Sequence, residues 1–163
     1  MALAEISPIP GGGNCRLALT DEDKLGRDLV VSWMRDLSMD VQIDAIGNII
    51  GTWQVGSGLP VMTGSHIDTV RTGGKYDGNY GVLAGLEVVA TLREAGLPTR
   101  RPLAVAVFTN EEGARFQRTT GGARARWRPP GFHRPPSRAN ESARAALIDR
   151  SSHFFAVHPT HTS

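Results

Sequence analysis

The chain's first extended pattern is a four-residue recurrence. Behind Thr20, the stretch DEDKLGRDLVVSWMRDLS places Leu25, Leu29, Trp33 and Leu37 about one helical turn apart, with Val30 and Met34 beside them. Apolar residues at that period predict an amphipathic helix, and three acids in its first turn suit the positive end of a helix dipole. The period then changes. VQIDAIGNIIGTWQ alternates and breaks at Gly47, which predicts two short strands around a turn. LPVMTGSHID opens on another short apolar run, and residues 81–96, GVLAGLEVVATLREAG, predict a mostly apolar helix stopped by Gly96 and Pro98. PLAVAVFTN is a continuous apolar run, the pattern of a central strand buried on both faces.

Strand, helix and strand with a crossover of this length predict a βαβ unit with parallel strands. Whatever follows residue 64 and residue 109 then shares the carboxyl edge of the sheet, where open α/β folds place their ligands. The first loop, GSHIDTVRTGGKYDG, brings His66, Asp68 and Asp77 to that edge, and the second brings Asn110, Glu111 and Glu112. One imidazole and four carboxylates on one rim repel each other unless a cation holds them, so one or two divalent metals are expected. Mixed nitrogen and oxygen donors suit Zn²⁺ and equally Mn²⁺, Co²⁺ or Ni²⁺.

With an extended backbone, the two-residue spacing of His66 and Asp68 lets the aspartate hold the second imidazole nitrogen. Under the same condition Glu111 and Glu112 diverge, one toward metal and the other toward substrate as a proton carrier. Singly these residues are ordinary. Asp77-Gly78 is a common turn, paired glutamates are usually solvated, and RTGGK lacks the spacing of a phosphate-binding loop. Convergence at one sheet edge is what distinguishes them.

Length, composition and charge set the frame. The 163 residues, 40% of them hydrophobic, suffice for one α/β domain with a sizeable core. The sequence has no apolar run of membrane-spanning length, its start MALAEISPIPGGG lacks the features of a signal peptide, and Cys15 stands alone. A cytoplasmic protein without membrane contact is expected. The net charge of +2 divides unevenly: residues 1–117 carry 14 acids against 10 bases, while residues 118–163 carry 8 arginines against 2 acids.

GSHIDTVRTGGKYDGNYGVLAGLEVV followed by AVFTNEEGARF resembles the metal-site core of the M20 metallopeptidase-like amidohydrolases. It is most similar to the branch of N-carbamoyl-L-amino acid hydrolases, β-ureidopropionases and allantoate amidohydrolases. GGGNCRLALTDEDKLGRDL and IDAIGNIIG share the resemblance, which covers residues 4–117. It implies a fold in the zinc-exopeptidase class, with residues 1–117 as the amino-terminal part of a catalytic domain. It also implies that His66 and Glu112 bind separate ions of a dinuclear site, that Asp77 bridges them, and that Asp68 stands behind His66. Glu111 becomes the general base, and a cis peptide is expected at Asp77-Gly78. The implied reaction is hydrolysis of a linear C–N bond other than a peptide bond in a small ureido or amide substrate; other M20 branches would imply peptides or N-acyl amino acids.

The resemblance stops at Gln117. The family's central histidine, its lid and homodimerisation region and its final histidine are not recognisable beyond it, and His133, His153, His158 and His161 match no family motif. Residues 118–163, rich in Arg, Pro, Gly and Ala, read as an unrelated and disordered tail. A shifted reading frame is the leading explanation, ahead of a low-complexity extension and of a basic arm for nucleic acid or an acidic partner. Nucleic acid is not the expected partner, and a chain ending its resemblance there is expected to be inactive alone.

Overall fold

The structure, a computed structural model, describes residues 1–116. The expected tail, with its four histidines and its proposed basic arm, lies outside the described residues. A short 3-10 helix, Ala2–Glu5, precedes helix α1 (Asp21–Asp36), strands β1 (Asp40–Ile43), β2 (Ile49–Trp53) and β3 (Val61–His66), helix α2 (Asn79–Glu94) and strand β4 (Leu103–Phe108). The strands form one sheet in the order β1-β2-β4-β3. β2 pairs antiparallel with β1 and with β4, and β3 pairs parallel with β4, as a strand–helix–strand unit requires.

Local chemistry explains each boundary. Thr20 caps α1 by accepting the Asp23 N–H at 3.3 Å. The β1–β2 turn closes on Asp44, whose Oδ1 accepts the N–H groups of Ile46 and Asn48 at 3.0 and 2.9 Å, while Gly47 takes φ +90°. Central β4 is buried from Ala104 to Val107, as its uninterrupted apolar run predicts.

Both helices cover the same face of the sheet. Gly51, Val105 and Thr63 lie side by side across β2, β4 and β3. A Cβ on Gly51 would lie 2.7 Å from Met34 Sδ of α1, and one on Gly85 of α2 would lie 2.8 Å from Thr63 and 3.1 Å from Val105. These glycines let helix and sheet close on one another. The core between them contains Val30, Met34, Ile49, Ile67, Val82, Val89, Val105 and Val107. Among the described residues no helix is long and apolar enough to cross a membrane.

The buried face of α1 differs from its leucine stripe. Leu25 is 59% exposed, and Leu29, Trp33 and Leu37 are only partly buried on the flank. Val30 and Met34 face inward together with Asp23, Gly26 and Arg27. The helix leans on a polar centre: a Cβ on Gly26 would lie 2.9 Å from Cδ of Arg16, which is itself fully buried.

Asp23 is 1% exposed; its Oδ2 accepts the Leu19 N–H at 2.8 Å, and Oδ1 has no hydrogen-bond partner. Burial raises its carboxyl to about 6, against the opposing pull of Arg27 and of the Leu19 N–H. A folded-state value above the unfolded one favours the protonated form. The stabilisation is therefore full below about pH 4 and is lost as pH rises through about 6. Replacing Asp23→Asn removes this dependence. Between pH 4 and 7 the variant should gain stability relative to the parent chain by an amount on the order of 3 kcal/mol. Thermal unfolding of both proteins across that range checks the expectation, and a pH-independent difference would contradict it.

Candidate metal centre

The register of β3 against β4 pairs His66 with Phe108, so both following loops leave the sheet at the same edge. His66 is the last residue of β3 and is 7% exposed. Asp77 lies two residues before α2, and Glu111 and Glu112 follow β4 by three and four residues. Donor atoms of His66, Asp77 and Glu112 lie within 4.8 Å of one another.

The imidazole is held in one orientation. Its Nδ1 is 2.9 Å from the backbone carbonyl oxygen of Asp68. A carbonyl only accepts, so Nδ1 carries the proton and the lone pair on Nε2 points elsewhere. Glu111 Oε2 is 3.6 Å from that Nε2. The close approach of the Asp77 loop depends on glycine: Gly78 has φ +66°, and a Cβ there would stand 2.5 Å from His66 Cε1 and from its carbonyl oxygen.

Three expectations from sequence change here. The Asp68 carboxylate does not hold the ring; its Oδ1 is 3.8 Å from Nδ1, and the backbone carbonyl takes that place. The carboxylate instead accepts the N–H groups of Glu111 and Glu112, both at 3.3 Å, and thereby braces the turn that carries them. Burial pushes the Asp68 carboxyl up, while His66 and those two N–H groups pull it back. The expected cis bond at Asp77-Gly78 is also absent, since no described peptide bond is cis; left-handed Gly78 makes the turn instead.

The divergence of Glu111 and Glu112 was conditional on extended backbone, and that condition fails. β4 ends at Phe108, and Asn110 takes φ +56°, a conformation that asparagine tolerates. Glu112 joins His66 and Asp77, while the 45%-exposed side chain of Glu111 also approaches the imidazole. Burial and then Asp77 push the Glu112 carboxyl above the usual range, although His66 opposes them. An oriented imidazole lone pair and two crowded carboxylates fit a divalent cation of the Zn²⁺, Mn²⁺, Co²⁺ or Ni²⁺ kind.

Residues not singled out from sequence hold these loops. Arg16 donates through Nε to the Ile67 carbonyl at 2.8 Å and through Nη2 to Asn79 Oδ1 at 3.1 Å. Asn79, fully buried, donates to the Lys75 carbonyl at 2.9 Å. Arg27 donates to Thr109 Oγ1 at 3.1 Å and to the Gly47 carbonyl, tying α1 to the start of the glutamate loop. The available signal was Gly26, a helix-interior glycine that marks a close approach.

Fold and site together define an α/β protein that gathers a histidine and carboxylates, a set able to hold a metal ion, at the carboxyl ends of parallel strands. The profile of Peptidase family M20/M25/M40 matches residues 62–158, and the chain belongs to this family. That match continues beyond Gln117, into the stretch whose composition reads as unrelated. The chain is 46% identical over 127 residues to an N-carbamoyl-L-amino acid amidohydrolase of Geobacillus stearothermophilus, covering 77% of this chain and 31% of that protein. It is 38% identical to a ureidoglycolate hydrolase of Oryza sativa subsp. japonica, covering 75% of this chain and 26% of the relative. A hydantoinase/carbamoylase family amidase from Burkholderia ambifaria superposes with TM-score 0.67 at 52% identity, over 70% of this chain and 29% of the other. The chain thus spans between a quarter and a third of the length of these two curated relatives.

The glycine contact makes a test. Gly78 and Gly96 have φ of +66° and +61°, but a Cβ on Gly96 meets nothing within 4 Å. Replacing either by alanine should cost backbone strain on the order of 1 kcal/mol. Only Gly78→Ala should also displace His66 and weaken divalent-metal binding, as checked by calorimetric titration of both variants; equal affinities would contradict the contact.

Proposed function

We propose that this chain carries part of the active site of a metal-dependent amidohydrolase that cleaves linear C–N bonds other than peptide bonds. N-carbamoyl-L-amino acids are the favoured substrates, with β-ureidopropionate and allantoate as related ones. The convergence of His66, Asp77 and Glu112 at the sheet edge carries the proposal. The names of the amidohydrolase relatives support the substrate class.

In this proposal His66, Asp77 and Glu112 would be the side chains that hold divalent metal. Divalent metal bound there supplies Lewis acidity toward the substrate carbonyl and lowers the pKa of water. Each other step belongs to the chain. The Asp68 carbonyl keeps the His66 proton on Nδ1, and the Asp68 carboxylate fixes the turn that aims both glutamates. Glu111, partly exposed to solvent where His66 is enclosed, accepts a proton from the attacking water and returns it to the departing nitrogen. For a carbamoyl amino acid the products are the free amino acid, ammonia and carbon dioxide. Three ligand side chains among the described residues fall short of two filled coordination shells. Turnover therefore requires ligands from outside these residues, and residues 1–116 alone are expected to be inactive.

The test is a chimera in which residues 4–116 replace the corresponding segment of the Geobacillus relative. It should release ammonia from N-carbamoyl-L-amino acids in preference to cleaving dipeptides. Glu111→Gln should lower kcat about 10²–10⁴-fold. A metal-loaded chimera that prefers dipeptides, or that keeps full rate with Glu111→Gln, would refute the assignment.

A further inference from the structure

Arg16 is fully buried, yet its guanidinium donates to carbonyl and amide oxygens in place of a carboxylate. Nε donates to the Ile67 carbonyl at 2.8 Å, Nη1 to the Leu3 and Ile6 carbonyls at 3.0 and 3.3 Å, and Nη2 to Asn79 Oδ1 at 3.1 Å. Its backbone joins the same loop: Arg16 N–H donates to Thr69 Oγ1 and Thr69 N–H donates to the Arg16 carbonyl, each at 2.7 Å. A buried cation is costly, and a well-packed apolar side chain would serve packing alone at least as well. Four acceptors on three segments are instead held by one rigid planar fork.

Two of those acceptors flank the metal-ligand candidates. Ile67 directly follows His66, and Asn79 follows Asp77 by two residues. Asn79 passes the constraint on, because its Nδ2 donates to the Lys75 carbonyl and its backbone N–H to the Asp77 carbonyl at 2.6 Å. The loop around Asp77 is thereby closed against the end of β3. The Leu3 and Ile6 carbonyls anchor the other side of the fork to the amino-terminal segment. Gly26 provides the room for α1 to press against Arg16.

We propose that Arg16 is a positioning residue for the metal centre, setting the separation of the His66 and Asp77 arms through Ile67 and Asn79. The inference rests on the metal-site reading given under Proposed function. It predicts that the fork geometry, and not merely the presence of a positive charge, governs metal affinity. Lysine keeps the charge but offers one compact ammonium in place of the fork.

The experiment titrates Co²⁺ into the full chain and into the Arg16→Lys, Asn79→Ala, Met34→Ala and His66→Ala variants. The visible absorption band and its apparent affinity are read at a temperature where circular dichroism shows each protein folded. Met34 is buried in the core and packs on Gly51, away from this network, so its truncation supplies a loss of stability without touching the fork. The expected result is a 10–100-fold weaker Co²⁺ affinity and an altered band for Arg16→Lys and Asn79→Ala, with Met34→Ala like the parent chain. If Arg16→Lys does not fold, Asn79→Ala carries the same comparison with Arg16 intact. Parent-like binding by Arg16→Lys and Asn79→Ala would overturn the positioning role while leaving the metal centre standing. Equal weakening by Met34→Ala would overturn it as well, since affinity would then follow general stability. A parent chain with no Co²⁺ binding that His66→Ala removes would overturn the metal centre and this inference together.

Discussion

The parallel pairing of β3 with β4 is the constraint on which the rest depends. It fixes His66 opposite Phe108, so a histidine at the end of one strand and glutamates after the next must meet at one edge. The crossover through α2 supplies the third participant, because the turn into that helix carries Asp77. None of the three lies within ten residues of another in sequence. Their meeting is a product of topology, and the hydrophobic seam of α2 against Thr63 and Val105 keeps the topology in place.

Strand pairing brings the loops together, but polar contacts decide how they face. The Asp68 residue divides its work: its carbonyl fixes the tautomer of His66, and its carboxylate gathers the N–H groups of both glutamates. Arg16 and Asn79 close the opposite side. Such buried polar groups cost free energy unless every one finds a partner, and their partners here are mostly backbone atoms of the ligand-bearing loops. The resulting frame holds several like-charged donors near one another, which an apolar core alone would not do.

Much of this was legible in the sequence. Each predicted helix and strand is present, because the apolar period of α1, the alternation around Gly47 and the unbroken run of β4 each match one kind of burial. The edge location of His66, Asp77, Glu111 and Glu112 followed from the βαβ order. The facing of individual groups did not. The leucine stripe misplaced the core side of α1, since period alone does not reveal that a buried arginine and Gly26 turn the helix toward a polar centre. Spacing assigned the Asp68 carboxylate to the imidazole, whereas the backbone carbonyl competes for the same nitrogen at shorter range. Arg16 gave no periodic signal because its guanidinium partners are scattered at Leu3, Ile6, Ile67 and Asn79, and three of the four are backbone carbonyls.

The central claim is that His66 presents Nε2 to a metal while Asp68 holds the proton on Nδ1. Proton NMR of the Co²⁺-loaded chain in ordinary water tests it most directly, because a ring N–H on a cobalt-bound imidazole gives a strongly shifted, exchangeable resonance. The account predicts one such resonance that disappears in His66→Ala. No shifted exchangeable resonance, or one that persists without His66, would contradict it.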